Sequence, residues 1–437
     1  MARLWPTGIF CMADPQEYWP HRLLHIPSMT SVVRQGSDTY LVDNCRQLIR
    51  KPPYSVLSYT WGRYEKRPRK PEHRRLKVHG IDWDIPPIDE THFTVEDFES
   101  VIEVLRCRHE FAWIDIACIH QEDNLLKLQE IGQQGKIFQR AESAFIWLCR
   151  TTTRSLDHHS KSLKSVSDLF LEEVDYNFFE GPQSVLEAKK RVSEARYRSQ
   201  EYENQVAQTL DTAIAAITEL TKDPYFTSLW TLQEAMYHQS ALTLSSDGSL
   251  VIPHPLGFGN LQAACPRKDS TVIQQRIQSI MALMSGVGYD PSAAKISNPH
   301  QSRAAAQHRR ASLDQDRIFA TMSLYGLTTR AAKDSSLKDP YLYSLDELEY
   351  AFAATLNSVS PSLGQVFTHV TAPEIGQTWK ITADAKIADD HQIWTTNWRR
   401  WKTHCNIKAT EVGHASFSGE IKKHSWLRSS RNTELVL

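Results

Sequence analysis

The stretch that follows Tyr225 holds the residues best spaced to do chemistry together. On a helical wheel Leu229, Leu232 and Met236 form one stripe, the expected core face. Trp230, Glu234 and Tyr237 gather about a quarter-turn away through i, i+3 and i+4 spacings. That face pairs a carboxylate, able to offset positive charge that develops beside it, with large aromatics that offer stacking area at the border of the core. The plainer reading stands beside it: glutamate is a strong helix former and is often solvated on a helix flank, and Trp230 can be a packing residue.

Two upstream segments must position a partner for that helix. Tyr54–Thr60 is β-branched and aromatic, follows Pro52-Pro53 and is stopped by Trp61-Gly62, so it reads as a strand. Phe111-Ala-Trp-Ile-Asp-Ile116 reads as a buried parallel strand, and Ala144–Leu148 as a third. Between them, Phe98, Val101, Ile102 and Leu105 recur at helical spacing, and Leu125–Ala141 reads as a second helix weakened by Gly132 and Gly135. Strand, helix, strand, helix, strand predicts an α/β fold built on a doubly wound parallel sheet. Sheets of that kind take ligands outside the carboxyl ends of their strands. Tyr59, Thr60, Trp61, Gly62 and Asp115 fall at those ends and join Trp230 as candidate substrate-binding residues. Alternatively Asp115 caps the next turn, and Tyr59 and Trp61 only close the strand.

Residues 1–50 read as an N-terminal extension packed on the core, 51–255 as the α/β domain with a helical insertion at 150–222, and 256–437 as a mainly helical region. The insertion is polar, with one good amphipathic helix marked by Val206, Leu210, Ala213, Ile214, Ile217 and Leu220. A hairpin is expected at Leu242–Ile252, turned at Asp247-Gly248 with type I′ chemistry. Asp316-Arg317 reads as a helix cap and surface charge. Trp379, Trp394, Trp398 and Trp401 read as filling a core.

Bulk properties narrow the classes further. Fifty Lys and Arg balance 51 Asp and Glu, for a net charge of −1. No polyanion-attracting field follows, so neither nucleic acid nor an anionic membrane is an expected partner. The basic run Arg63, Lys66, Arg67, Arg69, Lys70, Arg74, Arg75 and Lys77 reads as a solvated loop. Seven cysteines without a CxxC pair predict free thiols in a reducing compartment, and Cys118 with His120 reads as a buried thiol beside a loop histidine rather than a metal pair. With no signal-like start and no apolar run of about 18 residues, a soluble cytoplasmic protein is expected. Phosphate-loop, dinucleotide, nucleophile-elbow and His-Glu-x-x-His motifs are all missing, and no metal or cofactor is expected.

Four segments, in order, resemble the fungal heterokaryon-incompatibility (HET) family: Tyr54-Ser-Val-Leu-Ser-Tyr-Thr-Trp-Gly62, Trp113-Ile-Asp-Ile-Ala-Cys-Ile-His-Gln121, Ile131–Leu148, and Asp223-Pro-Tyr-Phe-Thr-Ser-Leu-Trp-Thr-Leu-Gln-Glu-Ala235. His120 stands where the family commonly has Asn. The HET family is in turn regarded as a distant relative of TIR domains, and Ser228-Leu-Trp-Thr-Leu-Gln-Glu234 is similar to the TIR motif Ser-x-Trp-Cys-x-x-Glu, with Thr231 in place of Cys. That resemblance implies a TIR/flavodoxin-like fold, a role in programmed cell death or innate immunity, Glu234 as catalytic residue and NAD as substrate. Nicotinamide departs as a neutral group, so one glutamate can suffice. The resemblance equally allows a non-enzymatic module that self-associates and answers to an activating protein partner, or a degenerate member with neither activity.

Overall fold

The first fifty residues do more than pack on a core: they build strands. These are β1 (Phe10–Met12), β2 (Arg22–His25), β3 (Thr30–Gln35), β4 (Thr39–Val42) and β5 (Gln47–Arg50). The computed structural model describes, with short gaps, residues 6–60, 74–174, 200–253, 271–287, 303–359, 367–385 and the strands within 406–418.

β6 (Tyr54–Tyr59) is buried at all six positions, as a strand covered on both faces must be. The helix that follows, α1 (Val95–Arg106), starts at a capping box in which the Thr94 hydroxyl accepts from the Asp97 backbone N–H and the Asp97 carboxylate accepts from the Thr94 N–H. It buries Phe98, Val101, Ile102 and Leu105, the four residues whose spacing marked it. β7 is short (Phe111–Trp113); the chain turns immediately into the single helical turn α2 (Asp115–Cys118). Asp115 therefore begins a helix instead of ending a strand.

The expected long helix after it is two helices, α3 (Asn124–Ile131) and α4 (Gln134–Arg140). The two glycines explain both the break and its use. A Cβ on Gly132 would stand 2.4 Å from Thr328 Oγ1, and one on Gly135 2.5 Å from the Tyr237 ring. Close approach, not helix propensity, fixes these positions.

β8 (Ser143–Trp147) pairs with β6 in parallel. The insertion supplies two long helices, α5 (Thr153–Val174) and α6 (Gln200–Leu220), against the single one expected. A 3-10 turn at Pro224–Thr227 leads into α7 (Leu229–Tyr237). β9 (Leu242–Leu244) and β10 (Val251–Pro253) then form the hairpin. Its turn is not type I′, which needs positive φ at both central residues. Gly248 alone is left-handed, at +69°, and its N–H donates to the Ser245 carbonyl. Beyond it come α8 (Thr271–Gly286), α9 (Asp316–Met322), β11 (Leu327–Thr329), α10 (Leu345–Val359) and a strand pair, β12 (Asn406–Ala409) with β13 (Ala415–Ser418).

The main sheet has nine strands in the order β10-β9-β8-β6-β7-β2-β3-β4-β5. β6, β7, β8 and β9 run parallel. Strands β2 to β5 continue beyond β7 as an antiparallel meander, β10 closes the other edge antiparallel, and β1 pairs with β11 apart from this sheet. The expected parallel sheet thus holds for four inner strands, while the whole sheet is mixed. Strand alternation splits β6 between two layers. Tyr59 packs among Phe93, Phe98 and Trp147 on one side. On the other, Tyr54 donates to the Ile137 carbonyl of α4, and Ser58 faces α7.

The four cysteines seen, Cys11, Cys107, Cys118 and Cys149, are free; Cys45, Cys265 and Cys405 lie outside the described residues. No described helix is long and apolar enough to cross a membrane.

Candidate functional site

Glu234 is buried, 6% exposed, and aims at the inner sheet. Ser58 Oγ donates to its Oε2 at 2.5 Å, and Gln134 Nε2 donates to its Oε1 at 2.6 Å. A strand, α4 and α7 therefore meet at one carboxyl group. Behind it runs a relay of donors: Tyr237 to Ser323, Ser323 to Gln233, Gln233 to Gln134, and Gln134 to Glu234. Ser58 also shares a hydrogen bond with Tyr225. A buried polar chain of this sort is stable only when every member is paired, and here each step is.

Asp115 stands at the same end of the sheet. The Tyr59 hydroxyl donates to its Oδ1 at 2.9 Å, and so does the Ile116 N–H at 2.7 Å. Part of its surface stays exposed. Burial pushes its pKa up to about 7, opposed by the bonds from Tyr59 and Ile116. Glu234 is raised well above the ordinary carboxylate range, first by burial and then by the charge of Asp115, against the bonds from Ser58 and Gln134. The charge of Asp115 thus bears on the ionisation of Glu234.

The other sequence-marked residues divide. Thr60 continues β6 past its end, and its buried Oγ1 has no hydrogen-bond partner. Trp61 and Gly62 lie outside the described residues, as do Arg63–Lys70 of the basic run. Trp230 is not drawn toward Glu234; its indole hydrogen-bonds the Asp316 carboxyl. Asp316, expected at the surface, is instead 6% exposed, accepts from the Tyr341 hydroxyl at 3.2 Å, and is raised in pKa mainly by burial. Trp379 is buried as expected and packs edge-on against Tyr350 at 5.2 Å; Trp394, Trp398 and Trp401 lie outside the described residues.

Sequence reasoning missed three supports. Arg309, 1% exposed, donates to the carbonyls of Tyr225 and Ser228 and to Thr231 Oγ1, fixing the start of α7. Thr231 in turn donates to the Tyr225 carbonyl at 2.6 Å. Asp223 accepts from the backbone N–H groups of Arg150 and Tyr225 and from the Thr151 hydroxyl, tying the turn before α7 to the end of β8. Only the aspartate had a signal, its Asp-Pro step. Arg309 sits in an unremarkable His-Arg-Arg run whose burial no local pattern announces.

His120 shows why a histidine can replace asparagine. Its Nδ1 accepts from the backbone N–H of Glu122 at 3.2 Å and of Asp123 at 2.9 Å. That is the local bond an Asn side-chain oxygen makes.

Fold and site together define an α/β protein with a mixed sheet flanked by helices and a pair of interacting carboxyls where two inner strands end. Residues 54–234 match the family model described as "Heterokaryon incompatibility protein (HET)". That span, from the first residue of β6 to Glu234, is a HET domain. No curated protein and no solved structure matches the chain. Among the described residues no group of three or more His, Cys, Asp or Glu could hold a metal ion.

Proposed function

We propose that this chain is an incompatibility effector that kills by hydrolysing NAD at the carboxyl ends of β6 and β7. The observation that carries the reading is the Asp115–Glu234 pair: two carboxyls with raised pKa values, Asp115 near neutrality and Glu234 lifted partly by the charge of Asp115, at the edge where parallel sheets take ligands. Perturbed acids of this kind are what acid–base chemistry at neutral pH needs. The unpaired hydroxyl of Thr60 adds a polar contact for a bound group.

In this reading the positive charge of the bound nicotinamide ring draws Glu234 into its ionised form, a ribose hydroxyl takes the place of Ser58 on it, and the carboxylate offsets the positive charge developing at the sugar. The carbon–nitrogen bond breaks, and nicotinamide leaves as a neutral base with the bonding pair. Water adds to the same carbon and gives its proton to ionised Asp115. The products are nicotinamide and ADP-ribose, and no oxidant is needed.

The test is chromatography of NAD incubated with the purified full chain. Glu234→Gln and Asp115→Asn are each expected to lower turnover by about 100-fold or more, the usual scale for acid–base groups. Turnover equal to wild type in Glu234→Gln rejects the site.

One observation favours a second reading, a self-associating signalling module without enzymatic activity. Both oxygens of Glu234 are already occupied by internal donors, which is how a purely structural acid is held. Toxicity that survives Glu234→Gln but is lost when oligomerisation is blocked would select it.

A further inference from the structure

A second site stands on the far side of β7, where the N-terminal meander joins the inner sheet. A cavity of about 290 Å³ opens there between β2, β3, the segment after α2, and α3. Its lining sets two arginines against two acids. Arg22 and Arg34 reach it from β2 and β3, with His21 and His120 beside them. The two acids, Asp82 near Arg22 and Glu130 near Arg34, leave N–H donors of both guanidiniums unused. Asp82 is 74% exposed at the side chain and 4.0 Å from Arg22. Glu130 is occupied from inside: Tyr18 donates to Oε2 at 2.6 Å, and the His21 N–H and Trp113 Nε1 donate to Oε1 at 3.0 and 3.4 Å.

Beyond these acids, carbonyls and aromatic rings hold the arginines in place. Arg22 donates to the Gly80 carbonyl at 2.7 Å and lies 4.9 Å above the Trp83 ring. Arg34 donates to the Trp19 carbonyl and lies over the Tyr18 ring. Neither arrangement consumes a full guanidinium, which carries five N–H donors. His120 has Nδ1 engaged as an acceptor, so the proton rests on Nε2.

Two buried polar atoms of the same lining have no hydrogen-bond partner: Gln133 Oε1 and Thr328 Oγ1, the latter on a residue 1% exposed. Leaving a buried polar atom unpaired costs about 1–3 kcal/mol. A cavity that joins fixed cations to unpaired oxygens matches a ligand with an anionic head and hydroxyl groups. We infer that this cavity binds a small hydroxylated organic anion, its phosphate or carboxylate held by Arg22 and Arg34 and a hydroxyl donated to Gln133 Oε1. The site is separate from the Asp115–Glu234 pair and does not depend on what that pair does. It is nonetheless adjacent: Gln133 precedes Gln134, the donor to Glu234, across the break between α3 and α4.

Calorimetric titration of the full chain with glycerol phosphate and with malate tests this, with inorganic phosphate and glycerol as head-only and hydroxyl-only controls. One or both hydroxylated anions are expected to bind more tightly than either control. Binding by glycerol phosphate alone identifies a phosphate ester as the ligand class; binding by malate alone identifies a hydroxycarboxylate. Arg22→Gln should weaken binding by about tenfold or more, the loss of one charge-assisted hydrogen bond. Leu126→Trp places bulk at the rim, where Leu126 is already 42% exposed, and should block entry without disturbing the fold. No heat from either anion at millimolar concentration overturns the inference. So does inorganic phosphate binding as tightly as both, or affinity unchanged in Leu126→Trp.

Discussion

The two polar regions of this molecule differ in what they leave undone. Around Glu234 the described groups are paired: five side chains from β6, α4, α7 and the turn at Ser323–Tyr325 pass hydrogen bonds toward one carboxyl group. In the cavity beside β2 the cations are only partly used, and two buried oxygens have no partner. The first arrangement resists change and holds elements in register. The second stores unmet hydrogen-bonding capacity, which a ligand can satisfy. A polar cluster is therefore read by its satisfaction as much as by its residue types.

The sharpest break of that contrast is Glu234→Ala. It orphans the Ser58 hydroxyl and the Gln134 amide at once, and denaturant unfolding should show a loss of about 2–5 kcal/mol. Gly135→Ala comes next. Its new Cβ would lie 2.5 Å from the Tyr237 ring, whose hydroxyl begins the relay, and overpacking of this kind costs about 1–3 kcal/mol. Near-ultraviolet circular dichroism should report the displaced tyrosine.

Removing a hydroxyl from each region compares them directly. Ser58→Ala deletes a donor to Glu234 and should cost about 1–2 kcal/mol. Thr328→Val deletes a hydroxyl that has no partner, so the change in unfolding free energy should stay within about 0.5 kcal/mol or favour the variant. Equal losses in both would erase the distinction drawn between the regions.

A separate effect is expected on pH dependence. Asp115 has a raised pKa in the fold, so its neutral form is the favoured one there. Its contribution to stability is present below the ordinary carboxylate value of 3.8 and is lost as pH rises toward about 7. Glu234 is shifted in the same direction. Unfolding free energy measured from pH 4 to 8 should fall more steeply in wild type than in Asp115→Asn. A slope unchanged by the substitution would show that Asp115 titrates normally.

Much of the frame was legible before any coordinates. Apolar runs with turn residues at their ends mark β6 and β8, and the spacing of Phe98, Val101, Ile102 and Leu105 marks α1, because burial on one face imposes a period on the sequence. Glu234 stood out by motif and by wheel position. The N-terminal strands did not stand out: β2 and β3 are four and six residues long, and the pairs that join β2 to β7, Leu24 with Ala112 and His25 with Phe111, lie far apart in the chain. The split at Gly132-Gln133 was visible only as a weakness, since its cause, Thr328, lies far along the chain.

By itself, then, the sequence determined which segments are apolar, which periods they follow and which family signature they carry. Those properties arise from neighbours within a few residues. Tertiary structure alone decided that Glu234 is engaged from two sides, that Trp230 turns to Asp316, that Asp316 is buried and that Arg22 and Arg34 share a cavity with unpaired oxygens. Each of these depends on long-range packing, where distant chain segments set the dielectric surroundings and the available partners, and no local spacing encodes them.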